Sequence, residues 1–494
     1  MPAIITNKFR IHNSEQFFES FSEASSNTYY LGIGRAQPFG TLTRPDGRTD
    51  YEGTDTTPLT PGDSVINESN VYDELFAVKR VMSSDISYVI PRRNWATGTI
   101  YDTYRHDYNE YVTGSTSTRV TSYTGATTLF DASFYVLTTD RNVYKCLNNN
   151  GNSTSTVEPT GTSTSILTTA DGYDWKYMYT LSASQQSNFL STDFMAVTSN
   201  VNAATTQLNV INNAVDGSID IVKIKTAGSA GTNGSFAGIP IRGDGTGAVA
   251  TVTISGGSVT AVLVTTKGAG YTYGYIKLSD IGSAGLIESE LDVIIGPKGG
   301  HGANAVKELG GFFVMMNTSL EGAEAGNTGD FLTDNDFRKI ALIKDPTSSG
   351  SAATVNTLRA TYAVRFAVSP APGTFQVDEE INQATTGAVG KVIQWDAINR
   401  ILYFIQTRHN DSGVDSNGNK TPFSGNNIIT GQTSSATGTP DTTSTGIVNS
   451  VNILSGYSIP ELDHDSGDVL YIENRTPIQR AVDQTENIKL IIEF

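Results

Sequence analysis

The stretch Ser466–Phe494 sets the tightest limit on how this chain can fold. It holds two runs rich in β-branched and aromatic residues, Val469–Glu473 and Asn487–Phe494, which predict strands. Between them lies Asn474-Arg475-Thr476-Pro477. Proline cannot donate to a strand ladder, so a break is expected there. The final run ends IKLIIEF, and so apolar an edge left free invites aggregation. It is therefore expected to be buried beside earlier strands as core, closing a domain that began far upstream.

A chain of 494 residues exceeds one ordinary core, so two to four domains are expected. Only 17% of residues are charged, 48 are glycine, and Ser, Thr and Asn are abundant. That mixture suits short strands joined by many turns better than long helices. The formal charge of −17 argues against nucleic acid or an anionic membrane as partner, because phosphate contacts need clustered Lys and Arg. No apolar run has the length of a membrane span. The opening residues MPAIITNKFRIHNSE lack the basic and apolar regions of a signal peptide. The lone Cys146 permits no internal disulfide and no thiolate metal cluster, and is expected as a small buried hydrophobe in a protein made in a reducing cytoplasm.

In chain order, Ile4–Arg10 predicts a short strand, and Ser14 a helix cap with Phe17, Phe18 and Phe21 following on one face. Tyr29–Ile33 predicts a strand, with Gly34–Phe39 its exit turn, and 40–62 a surface loop. A helix is expected over Asn70–Ala77, an apolar strand at Val89-Ile90, a hairpin from Phe134–Leu137 and Asn142–Leu147, and an aromatic strand over Asp171–Tyr179. Between these last two, Asn148–Ser165 is polar and predicts a long loop or arm. Strands are further expected at Leu291–Ile295, Gly311–Asn317, Phe337–Ile343 and Thr361–Val368, with one helical turn at Ala305–Leu309.

Two segments differ in character. Residues 199–285 carry a degenerate repeat: Ile219–Lys225 and Val259–Thr265 each lead into a glycine-dense turn, with the alternating run Val249–Ile254 and Gly256-Gly257 between them. Residues 371–445 predict a second small β module, from Phe375–Ile381, Thr386–Val392, Ile401–Gln406 and Pro422–Ile429. The expected organisation is mainly β with some α+β character: a discontinuous, β-sandwich-like core from 1–198, 286–370 and 446–494, with two small β modules inserted.

Residues that could carry chemistry give little. Gly296–Gly302 (GPKGGHG) lacks the spacing and the Ser/Thr of a phosphate cradle and reads as a structural turn. The five histidines, His12, His106, His301, His409 and His464, are scattered, against a zinc site. The oxygen-rich runs Asp415–Asn419 and Asp463–Asp468 miss the EF-hand pattern and read as solvated turns. No nucleophile motif or carboxylate pair stands out, so no enzyme is expected, and no cofactor. Arg92, Arg93 and Trp95 are of the types that dominate protein–protein hot spots, yet local pairing and core packing account for them equally well.

Several motifs together are similar to one family. Tyr471–Ile478 with Asp483–Glu486 resembles the C-terminus of gene-eight-type baseplate wedge subunits of contractile-tailed phages of the T-even kind. Val89–Trp95, Asn7–Arg10, Gly34–Phe39, Val143–Leu147, Asp171–Trp175 and Phe337-Arg338 resemble further motifs of that family, in the same order. The resemblance does not cover 199–283 or much of 371–445. It implies a structural subunit without catalytic role, a homodimer bound to other wedge proteins, assembled in the host cytoplasm and located in the tail baseplate of the virion. Arg92, Arg93, Trp95, Glu473, Asn474 and Arg475 are expected at or just behind subunit contacts. Two rivals are a tail adhesion or receptor-binding protein, expected as a glycan-binding trimer, and a tail-associated hydrolase.

Overall fold

The computed structural model describes every residue except 1–3, 24–26, 45, 113–114, 322–330, 409–412 and 482–483, which places His409 and Asp483 outside it. The chain is mainly β, in several antiparallel sheets. It divides into two compact units: Met1–Phe18 with Ser87–Met315 and Ile491–Phe494, and Glu19–Ile86 with Met316–Leu490.

In the first unit, Ile4–Arg10 is not a strand, because a helix spans Asn7–Glu19. Ser14 is not its cap but a buried mid-helix residue whose hydroxyl donates to Ile11 O at 2.7 Å and Gly311 O at 2.9 Å. Local strand propensity loses here to tertiary packing: Phe17 packs on Phe494 and Phe18 stacks on Tyr88 at 4.4 Å. Phe21 lies beyond the helix end.

The predicted hairpin forms from Tyr135–Leu137 and Asn142–Asn149, with Leu137 opposite Val143 and Arg141 in the left-handed region at the turn. Tyr173–Thr180 pairs on its other side. Tyr144, Cys146, Tyr173 and Trp175 from these strands form one aromatic core. Asn148 and Asn149 complete the strand rather than open a loop. The loop after them is tied down by the Asp171 carboxylate, which accepts from the amides of Thr156 and Val157.

The glycine-rich residues build their own core, from Ile219, Ile241, Val252, Ile254 and Val293 among others. Gly234–Pro240, Thr246–Ser255 and Ser258–Ala269 form a three-stranded sheet, and Ile219–Ser229 pairs with Ile287–Ile295. Ser255 faces Ser258 across Gly256-Gly257, both at positive φ (62° and 82°), as a two-residue hairpin turn matched to strand twist requires. A helix at Thr205–Asn212 precedes this sheet, unannounced by the glycine-rich composition.

In the second unit a five-stranded antiparallel sheet runs in the order Thr357–Arg359, Leu75–Val81, Tyr29–Gly34, Asn335–Lys344, Asp468–Arg480. Its central strand Tyr29–Gly34 is buried at every residue, so both faces are covered and the usual alternation vanishes. The helix before Leu75 starts and ends earlier than expected, at Val65–Glu74, capped by Ser64. A seven-stranded sheet holds Glu380–Gln383, Ala388–Asp396 and Ile401–Ile405 at its centre, packed around Phe366, Phe375, Phe404 and Phe423.

The C-terminal reading needs two corrections. Asp468–Arg480 is one strand that runs through Pro477, with the ladder shifting register between the Phe337–Ile478 and Lys339–Asn474 pairs. The strand is outermost in its sheet, where a proline at a bulge costs no inner hydrogen bond. Thr485–Glu493 is also an edge strand, last in the order Phe194–Val197, Ile86–Pro91, Phe313–Glu321, Thr485–Glu493. Of its apolar residues only Leu490 is buried, so this stretch is a sheet border rather than core.

The backbone of Asp378 is in the left-handed region (φ 62°), and one of its carboxylate oxygens is buried without a partner. Burial, reinforced by Asp336, pushes this carboxyl up to about 6, against the opposing pull of Lys391 and Arg338. The folded chain thus keeps a proton that the unfolded chain has released between about pH 4 and pH 6, and stability falls as pH rises across that window. Asp378→Asn, which tolerates the same φ, is expected to add about 1–2 kcal/mol at pH 7, allowing for part exposure, and little at pH 4. Urea unfolding at the two pH values checks this; an equal gain at both would refute it.

Candidate subunit interfaces

Arg92, Arg93 and Trp95 leave the strand Ile86–Pro91 together and form one local network. The amide of Arg92 donates to Asp193 O at 2.7 Å, and its guanidinium to Ser191 O at 2.7 Å and Asn94 Oδ1 at 2.9 Å. Arg93 gathers the carbonyls of Phe130, Asp131 and Ala132 and lies 4.7 Å over the Tyr135 ring. Trp95 donates from Nε1 to Ser155 Oγ at 3.1 Å and packs against the Tyr101–Trp175 core. All three are half-buried. Their partners are carbonyls and hydroxyls of the same unit rather than carboxylates.

Glu473, Asn474 and Arg475 form a second network on the edge strand Asp468–Arg480. Glu473 accepts from the Tyr471 hydroxyl at 3.1 Å and lies 3.9 Å from the Arg475 guanidinium. Asn474 donates to Leu59 O at 3.1 Å. Among the described residues Asn474 Oδ1 and Arg475 Nε are buried without hydrogen-bond partners, an uncommon state for polar atoms.

Beside them lies a groove of about 420 Å³, floored by Phe337 and Ile340. Glu473, Arg475 and Ile478 line one side, and Glu486, Ile488 and Leu490 the other. It exists because the two C-terminal strands do not pair with each other: each joins a different sheet. Arg480 and Glu486, neither of them expected from the sequence as a site residue, fasten this divergence. Fully buried Arg480 donates to Glu486 at 2.7 Å and to Leu332 O at 2.6 Å. A basic and an acidic residue flanking a short strand connection was the available signal.

Elsewhere the expected turns are structural. In the Gly296–Gly302 loop, a Cβ on Gly300 would meet Val215 O at 2.4 Å. His301 is buried against Tyr104, and burial drives its imidazole well below the ordinary value, so it is neutral. Asp415 folds its own turn by accepting from the amides of Asn417 and Asn419, and Asp463 accepts from Ser349 and Gly350. Cys146 is fully buried, and its thiol is pushed up accordingly. Among the described residues no three His, Cys, Asp or Glu side chains are grouped to hold a metal ion, and no helix is long and apolar enough to cross a membrane.

Comparison with known proteins bears on residues rather than on these surfaces. Residues 3–146 match the family described as Bacteriophage T4, Gp8. That span includes the motifs at Asn7–Arg10, Gly34–Phe39 and Val89–Trp95, whereas those at Asp171–Trp175, Phe337-Arg338 and Tyr471–Ile478 fall outside it. The chain is also 23% identical over 209 residues to the baseplate wedge protein gp8 of Enterobacteria phage T4. This alignment takes in 40% of the chain and 60% of that relative, so the chain spans less than two thirds of its length. The resemblance to gene-eight-type baseplate wedge subunits therefore stands, and residues 3–146 carry it.

Proposed function

We propose that this protein is a structural subunit of the baseplate wedge of a contractile phage tail, present in the virion, without catalytic role, and working as a homodimer bound to other wedge proteins. The observation that carries the reading is the match of residues 3–146 to the gene-eight family. The geometry adds support for a protein-binding edge. Asp468–Arg480 is a long outermost strand with Leu470 47% exposed and a groove beside it lined by Glu473, Arg475 and Ile478. Free edges of this length are normally covered, and a partner chain would cover this one. The acidic balance of −17 makes nucleic acid an unsuitable partner.

Light scattering on the purified chain tests the pairing: a mass near twice 52.8 kDa is expected. A stable trimer would instead favour the adhesion reading, and a monomer at micromolar concentration would remove the homodimer. Co-purification with the other wedge proteins tests the wedge role separately. Arg475→Ala is expected to weaken the dimer about tenfold or more with unchanged melting, as truncation of an interface arginine does. Arg93→Ala should behave oppositely. It releases three carbonyls inside its own unit, so it is expected to cost about 2–3 kcal/mol of stability and leave dimer affinity unchanged. Calorimetric melting and dilution series on both variants separate these outcomes.

A further inference from the structure

A cleft of about 700 Å³ in the first unit shares no lining residue with either candidate interface network. Residues Val222–Lys225 and Thr260–Val262 of the glycine-rich strands form one wall, and residues 121–123 with the turn Asn148–Asn152 form the other. Its volume falls in the range of small-molecule sites, but its lining is predominantly hydrogen-bonding rather than apolar. The turn is braced from within: Asn149 donates to Tyr101 O and to Asn152 Oδ1, both at 2.9 Å, and accepts from the Asn152 amide. Asn150, Gly151 and Asn152 all have positive φ.

The groups left over decide the ligand. Among the described residues the hydroxyls of Thr121 and Tyr123 have no partner, and Tyr123 is 55% exposed. Asn148 spends its amide nitrogen on Asp174 and keeps its oxygen free, whereas Asn152 spends its oxygen and keeps its nitrogen. The wall therefore offers donors and acceptors side by side with a flat ring, a set that fits hydroxyl groups, each of which both donates and accepts.

Charge narrows the class further. Arg105 is engaged by Asp107 at 2.7 Å and Asp292 at 3.1 Å, and Lys225 by Glu290 at 2.8 Å. The Lys223 ammonium has only the Thr103 hydroxyl, and no carboxylate forms an ion pair with it among the described residues. Lys223 is the one cation of the lining without an ion pair, so one acid group can pair with it, whereas a phosphate chain would need several such cations.

We propose that this cleft binds an oligosaccharide bearing a carboxylate, with the acid group on Lys223 and the sugar hydroxyls on Tyr123, Asn148 and Asn152. The assignment is independent of the wedge role. Burial, with Arg105 beside it, lowers Lys223 to about 8, while Cys146, Asp107 and Asp292 pull weakly the other way. A bound carboxylate reverses that depression, so binding at pH 8 takes up protons.

Calorimetric titration of the full chain with trigalacturonic acid, and with a neutral galactose-based trisaccharide as control, tests the proposal. Expected are a Kd at or below about 1 mM for the acidic sugar only, and proton uptake at pH 8 seen by comparing two buffers. Lys223→Met is expected to weaken binding about tenfold or more with unchanged melting. If that variant does not fold, Tyr123→Ala, which removes an exposed ring, should show the same loss. No binding of the acidic sugar, equal binding of the neutral one, or unchanged affinity in a folded variant overturns the assignment.

Discussion

Glu308→Ala is expected to destabilise the first unit by more than about 5 kcal/mol, a large part of the 5–15 kcal/mol that holds an ordinary domain together. Glu308 is 3% exposed and pairs with Lys145, which is fully buried. The same carboxylate accepts from the amides of Gly302 at 2.9 Å and Asn304 at 3.0 Å, and so closes the glycine loop onto the helical turn Ala305–Leu309. Burial already pulls Lys145 below the ordinary lysine value, and Glu308 is the largest opposing influence. Alanine at 308 leaves the buried Lys145 without its carboxylate and the amides of Gly302 and Asn304 without their acceptor. An unpaired buried charge costs about 3–5 kcal/mol and each orphaned amide about 1–3 kcal/mol. Lys145→Met combined with Glu308→Gln should recover most of the loss, because glutamine keeps an acceptor for the loop and no charge remains. Urea unfolding of the single and double variants measures both. A single-variant loss under about 1 kcal/mol would show that the pair does not hold this loop.

The second large effect is expected at Glu379 in the other unit. Its buried carboxylate accepts from the amides of Gln376 (2.6 Å), Thr433 (3.1 Å) and Ser434 (2.9 Å), and from the Ser434 hydroxyl (2.8 Å). One side chain thereby organises two turns, 376–379 and 431–434, that flank paired strands of the seven-stranded sheet. Glu379→Ala is expected to cost about 3–5 kcal/mol, the sum of several charge-assisted bonds to part-buried amides less what water recovers. Trp395 packs in the same core as Phe366 and Phe375, so its fluorescence reports on this sheet. Unfolding midpoints that coincide with the parent protein would contradict the assignment.

Neither carboxylate could have been singled out from sequence. Lys145 and Glu308 lie 163 positions apart, and Glu379 and Ser434 lie 55 apart, so no local pattern links them. What the sequence did reveal was local. The Tyr135–Asn149 hairpin, the aromatic strand Tyr173–Thr180 and the Gly256-Gly257 turn each follow from period-two patterning or from a residue that permits positive φ. Ile4–Arg10 misled because its strand-like residues say nothing of the Gly311 carbonyl that receives Ser14. Pro477 misled because a proline breaks an inner strand but not an edge one, and edge position is a property of the finished sheet. The candidate interface residues divide in the same way. Arg93 and Trp95 find partners within their own unit, which residue type alone left open, whereas Arg475 keeps a buried nitrogen unsatisfied.

The five-stranded sheet also imposes a timetable. Tyr29–Gly34 can pair with Leu75–Val81 soon after both are made, but its other neighbour, Asn335–Lys344, lies about 300 residues later. At bacterial translation speeds of roughly 5–20 residues per second, the ribosome needs roughly 15–60 s to deliver it. All of Ser87–Met315 emerges in that interval and is free to fold first. An apolar strand with one open side must therefore wait in a crowded cytoplasm, which makes synthesis rate and chaperone supply the determinants of yield when this chain is expressed.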